Sequence, residues 1–187
     1  DDNKIFKLQP PARATYNGAE ISDGGESGCQ TDKAEFVLFD AQGGTKTDRY
    51  ELKKAKLVFP AQIDRTQDLR IPIEFDEAYD YDFSGTIEWG KPDDAVFFRF
   101  IHAKDEAELA EQLKNPDAPK NQAYFLRGDK LLFVPNTIFA ALAAGETVLS
   151  IGIEQKLFKP KPDASSSSLR SPALAYKYNL NTKLNLK

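Results

Sequence analysis

The chain predicts an all-β, mainly antiparallel fold with two short helices. Three observations carry that expectation. From Tyr79 to Trp89 aromatic and apolar residues alternate strictly with polar ones, the period of a half-buried strand. The same period recurs over 69–76 and 174–186. The apolar runs are separated by Gly, Pro, Asn and Asp clusters of the kind that turn a chain.

In chain order, "KIFKL" at 4–8 is the first strand candidate, followed by a long polar stretch from Pro10 to Lys33 with "DGGESG" at its centre. "AEFVLFD" at 34–40 and "DRYELKKAKLVF" at 48–59 read as strands. Leu69, Ile71, Ile73 and Phe75 then alternate with Arg70, Pro72, Glu74 and Asp76. Pro72 lacks the N–H that a central ladder requires, so this run is expected at a sheet edge.

In the strand 79–89, Tyr79, Tyr81, Phe83, Ile87 and Trp89 face the core and the acids face water, with Gly85 marking a bulge. "WGKPDDA" turns the chain into "AVFFRFIHA" at 95–103, which is apolar on both parities and so is expected as a central strand covered on two sides. "KDEAELAEQLKNP" carries a helix: Asp105 and Glu108 form a capping box, and Pro116 stops it. "AYFLRGDKLLFV" at 123–134 is a hairpin turning at Gly128-Asp129. "PNTIFAALAAGE" offers a second short helix between Asn136 and Gly145. "TVLSIGIEQKLF" at 147–158, a Pro/Ser-rich loop at 159–172, and a long last strand complete the chain.

These elements assemble most simply into a single β-rich domain over 1–187, an antiparallel β-sandwich of immunoglobulin-like style. A closed or partly open β-barrel is the alternative, favoured by the length of the last strand. With 187 residues and 41% hydrophobic content the chain can bury a core without a metal or disulfide staple. No run reaches the roughly 18 apolar residues of a membrane helix. The chain starts at Asp1 and contains no Met. The expectation is therefore a processed N-terminus and a periplasmic or cell-surface location, with membrane anchoring only through a removed N-terminal segment, as in a lipoprotein.

The net charge of −4 is uneven: residues 156–187 hold seven Lys or Arg against the single Asp163, so +6 lies there and −10 over the rest. Lys156, Lys159, Lys161 and Arg170 are the candidate anion-facing residues. The plainer reading pairs Lys177, Asn179, Asn181 and Lys183 of the last strand with the acidic face of Asp80, Asp82 and Glu88.

"DEAYDYDFSG" at 76–85 concentrates the remaining chemistry. Asp76, Asp80 and Asp82 are the candidate ligands for calcium, which takes six to eight oxygens, although no calcium-loop pattern surrounds them. No other cofactor is expected. Tyr79, Tyr81 and Trp89 are the candidate sugar-stacking platform, set against an ordinary core role. "RGD" at 127–129 sits at a hairpin tip, as in integrin-binding loops. Cys29 and His102, the only cysteine and histidine, form the one nameable nucleophile and base pair. No nucleophile elbow, phosphate loop or zinc spacing is present, and no catalytic residue is assigned.

The expected function is a non-catalytic extracytoplasmic binding or assembly module of a bacterial envelope, recognising a protein or envelope glycan and no nucleic acid. A carbohydrate-binding domain and an enzyme with an unrecognised carboxylate site are the alternatives.

Overall fold

The computed structural model describes residues 3–6, 13–16, 19–21, 26–28, 33–39, 44–51, 53–89, 94–115, 117, 121–156 and 174–187. Within them the strands are β1 (Asn3–Phe6), β2 (Arg13–Tyr16), β3 (Ala19–Ile21), β4 (Glu26–Gly28), β5 (Lys33–Phe39), β6 (Thr45–Glu51), β7 (Lys56–Leu57) and β8 (Gln62–Ile63). They continue as β9 (Leu69–Glu74), β10 (Asp80–Glu88), β11 (Ala95–Ala103), β12 (Gln122–Leu126), β13 (Leu131–Val134), β14 (Gly145–Lys156) and β15 (Leu174–Leu186). One α-helix, α1 (Glu106–Leu113), lies between β11 and β12. The all-β class is what the structure shows, and no helix among the described residues is long and apolar enough to cross a membrane.

The chain divides into two compact units, one of Asp1–Lys54, Glu77–Tyr81 and Glu154–Tyr178, the other of Ala55–Asp76, Asp82–Ile153 and Asn179–Lys187. Strands β10, β14 and β15 contribute residues to both.

In the first unit an antiparallel sheet runs β3–β2–β5–β6, with β5 and β6 in register from Lys33↔Glu51 to Phe39↔Thr45. The stretch 10–33, expected as loop, instead carries β2, β3 and β4. These strands are three or four residues long, too short for a periodicity to show. β1 pairs with β4 and with the start of β15. Tyr81, Gln155, Tyr176 and Tyr178 are buried here, and Tyr176 and Tyr178 stack obliquely with centroids 4.8 Å apart. The single strand expected over 48–59 is two, because β6 ends at Glu51 and β7, in the second unit, starts at Lys56.

The second unit is one continuous sheet in the order β15–β14–β10–β11–β12–β13–β9–β7, with β8 alongside β15. Its strands are joined mostly antiparallel, but β11 and β12 are parallel, and a parallel pair needs a crossover. That crossover is α1, whose first turn is fully capped. Asp105 Oδ1 accepts from the N–H groups of Ala107 and Glu108, Asp129 Oδ2 from that of Glu106, and Glu108 Oε2 from that of Lys104. Leu109 then packs on Ala103, Tyr124, Leu126 and Phe133, and Arg70 pairs with Glu106 while lying over the Phe133 ring.

The helix therefore buries one face of β12, while Ala123 and Phe125 are buried on the other. The strand covered on two sides is thus β12. β11 is central in order, but Phe97 and Arg99 are exposed, because α1 covers only the later part of the strand at Ile101 and Ala103.

On the inner face a run of edge-to-face rings links Phe75 to Phe125 (5.4 Å), Phe125 to Phe83 (4.7 Å) and Phe83 to Phe100 (6.0 Å). Full burial of each such ring contributes roughly 1.5–3 kcal/mol. Gly85 marks no bulge: the β10–β11 register runs evenly through Gly85↔Phe98. Its hydrogen side is filled by the Phe98 ring, which a Cβ would meet at 2.0 Å.

Pro72 is not at the edge either. β9 is flanked by β13 and by the two-residue β7. Toward β13 the ladder bond beside it is made by Ile73 N–H to Lys130 O, while toward β7 its carbonyl accepts from Val58 N–H. Its missing donor therefore faces the end of a strand only two residues long.

The two borders of this sheet meet in one segment. Residues 56–58 bond to β9, and residues 62–65 bond to the end of β15 through Lys187 N–H to Ile63 O and Arg65 N–H to Lys187 O. The Arg65 guanidinium fastens the junction by donating to Leu142 O (2.6 Å) and Lys187 O. The second expected helix is a single 3-10 turn at Asn136–Ile138. Asn136 caps nothing, since its amide N–H and side chain are engaged by Asp68 and Thr66 O, and Gly145 opens β14. Ile138, Phe139 and Leu142 are buried and anchor the segment.

Candidate binding face

Period two gives every strand of the second unit an inner and an outer side. On β10 the inner residues Phe83, Gly85 and Ile87 are buried, so Ser84 and Thr86 point outward. The facing residues on β11 are Arg99, opposite Ser84, and Phe97, opposite Thr86. On the other side of β10, a Cβ at Gly152 of β14 would lie 2.6 Å from Ser84 Oγ and 3.1 Å from Asn179 Oδ1 of β15. Two residues along, the Ser150 hydroxyl donates to Asn181 Oδ1 at 2.6 Å.

Two parallel rows result, Arg99–Ser84–Gly152–Asn179 and Phe97–Thr86–Ser150–Asn181. They cross four strands, about 14 Å at the usual strand spacing. Six of the eight residues are hydroxyl, amide or guanidinium bearers. The space above Gly152 is taken up by its neighbours, Ser84 Oγ and Asn179 Oδ1 standing where a Cβ would go. Arg99 has no ion-pair partner among the described residues. Phe97 is 68% exposed, the most exposed large apolar side chain among them. In a chain that is 29% charged, this patch carries only the Arg99 charge.

Of the candidate ligand residues named from the sequence, the described ones, Tyr79, Tyr81, Trp89, Asp76, Asp80, Asp82 and Lys156, are not members of these rows. Tyr81 is 1% exposed, a core residue of the first unit, so its ring is not available for stacking. Tyr79 is half-buried. Trp89 is half-buried, its ring 3.1 Å from where a Cβ on Gly145 would stand. Gly145 adopts φ +138°, a backbone shape that suits glycine.

Asp76 is exposed in the link after β9, Asp80 half-buried at the start of β10, and Asp82 exposed. Asp82 Oδ1 lies 3.6 Å from His102 Nε2. Among the described residues no three His, Cys, Asp or Glu side chains gather as a metal would need. His102 is exposed at the end of β11 with its ring edge-on to Phe125. Its proposed partner Cys29 lies outside the described residues, as do Lys159, Lys161, Arg170 and the loop 159–172; Lys156 ends β14, half-buried.

The last strand's cations do not face the acids of β10, because β14 stands between them. Lys177 pairs instead with Glu154 at 3.2 Å. The RGD tip is occupied structurally. Arg127 lies over the Phe75 ring, Gly128 N–H donates to Lys104 O, and the Asp129 carboxylate caps α1.

Phe97 escaped the sequence reading, yet adjacent aromatics in one strand contained the signal. In "VFFRF" one of Phe97 and Phe98 must point outward. Once Phe98 covers Gly85, the outward one is Phe97.

No family model matches the chain, and neither does any curated protein or solved structure.

Proposed function

We propose that the chain is a non-catalytic binding module of the extracytoplasmic kind expected from its sequence, with the outer face of β11–β10–β14–β15 as its recognition surface. Phe97 carries this reading. Exposing most of a phenylalanine ring forgoes burial worth on the order of 1–2 kcal/mol, and here the ring borders a row of hydrogen-bonding groups on a rigid sheet. Such sites hold their side chains better than loops do. The architecture fits the role: the joined borders of the sheet favour a partly open barrel over a two-sheet sandwich, and a barrel leaves its outer side chains facing solvent.

The test is retention of bacterial envelope material on the immobilised full chain, beside Phe97→Ala. The variant should keep its melting temperature, since exposed substitutions rarely move stability by more than about 0.5 kcal/mol. It should also lose the retained component. Equal retention by both proteins would remove the outer face as the recognition surface.

A further inference from the structure

We infer that the outer face of the second unit binds an uncharged oligosaccharide, laid across the strands with one sugar ring on Phe97 and its hydroxyls over Ser84, Thr86, Ser150, Asn179 and Asn181. This inference rests on the binding-face reading and names its ligand class.

Three observations select that chemistry. The patch is almost free of charge, which removes the phosphate-neutralising term that dominates nucleic-acid binding. Protein interfaces, by contrast, draw their affinity from an apolar centre ringed by polar groups, and only Phe97 and Gly152 here are not polar. A sugar ring presents a C–H face that stacks on an aromatic ring and a rim of hydroxyls that both donate and accept. The patch offers the complement: hydroxyls of Ser84 and Thr86, amides of Asn179 and Asn181, the Arg99 guanidinium, which has no ion-pair partner among the described residues, and one exposed ring. Gly152 lets the Ser84 hydroxyl and the Asn179 amide oxygen close in over β14, since a Cβ there would meet them at 2.6 Å and 3.1 Å.

The rows also preorganise the contacts. The Ser150 hydroxyl donates to Asn181 Oδ1, which holds the exposed Asn181 amide in place beside the row. Each donor sits on a paired strand, so little rotational freedom is lost on binding compared with a loop site.

The experiment titrates the full chain with cellohexaose, chitohexaose and maltohexaose by calorimetry, with Phe97→Ala, Arg99→Ala and a control, Val58→Ser, at an exposed apolar residue remote in sequence. At least one sugar should bind. Phe97→Ala should weaken it at least about tenfold and Arg99→Ala about three- to tenfold, while Val58→Ser leaves it within about twofold. If no sugar binds yet envelope retention still depends on Phe97, the glycan assignment is wrong and the binding face stands. If a sugar binds equally to parent and Phe97→Ala, the site lies elsewhere and this inference falls. If neither sugar binding nor retention depends on Phe97, both readings fall together.

Discussion

Gln155 is the most costly side chain in the described core. It is 0% exposed on β14 within the first unit, and among the described residues neither its amide nitrogen nor its amide oxygen has a hydrogen-bond partner. The contacts Ser150–Asn181, Gly152–Asn179 and Glu154–Lys177 step in opposite directions along β14 and β15, which sets Tyr176 opposite Gln155. An amide buried without partners costs about 1–3 kcal/mol relative to a solvated one. Methionine has nearly the same length and unbranched shape, fills the same space and asks for no hydrogen bond. Gln155→Met should therefore stabilise the fold by roughly 2 kcal/mol, which for a chain of this length is about 4–8 °C in melting temperature. Urea unfolding followed by circular dichroism is the second readout: the midpoint should rise with the slope unchanged, showing that the compactness of the end states is untouched. Gln155→Ala is the companion, losing the relief to the cavity it opens. A melting temperature lowered by Gln155→Met would refute the reasoning, because only an amide engaged in hydrogen bonds is missed when replaced by a thioether of the same shape.

Three further outcomes test other links. Gly85→Ala should destabilise by about 1–3 kcal/mol, since the new methyl would meet the Phe98 ring at 2.0 Å; an unchanged urea midpoint would mean that the ring moves aside freely. Asp105→Ala removes the acceptor for two N–H groups at the start of α1 and should cost about 1 kcal/mol, with hydrogen exchange rising first at residues 106–109. The Asp64 carboxyl is held below its ordinary pKa by the Thr66 hydroxyl and backbone N–H. A depressed folded pKa means stability present above the unfolded value, near 4, and lost as pH falls through the folded one. Asp64→Asn should accordingly lose less melting temperature than the parent between pH 6 and pH 3, and parallel losses would show that the Thr66 bonds do not matter in solution.

How much of this was legible depended on whether the information was local. The alternation of Tyr81, Phe83 and Ile87 with Asp82, Ser84 and Glu88 specified β10 and its inner side correctly, and Tyr176, Tyr178, Leu184 and Leu186 did the same for β15. Asp105 and Glu108 announced α1 because a cap is a contact between near neighbours. What failed was long-range. Nothing in "AVFFRFIHA" tells that α1 covers one half of the strand and leaves Phe97 bare. Nothing around Lys177 tells that Glu154 rather than Asp80 lies across from it. The glycine at 85 was recognised as unusual for the wrong cause: a bulge and an overlying ring demand the same missing Cβ, and only the partner strand distinguishes them.

The proposed binding face illustrates why polar alternation alone cannot reveal a site. Any half-exposed sheet needs polar residues on its outer side, and Ser, Thr and Asn there satisfy the pattern as well as Lys and Glu do. The informative feature is the departure from what solvation requires. Glu88 and Lys183 supply charge on the same strands just beyond the two rows, and Lys177 and Glu154 supply it in the first unit. Between Ser84 and Thr86 on β10, Ser150 and Gly152 on β14, and Asn179 and Asn181 on β15 there is none. A surface under selection only for solubility gains from charge at every such position, and one kept clear of edge pairing gains from lysine. Neutral groups in two adjacent rows and an uncovered phenylalanine beside them are each unfavourable for the isolated fold. Under the glycan proposal they become favourable together, with a flat, hydroxylated partner on the face.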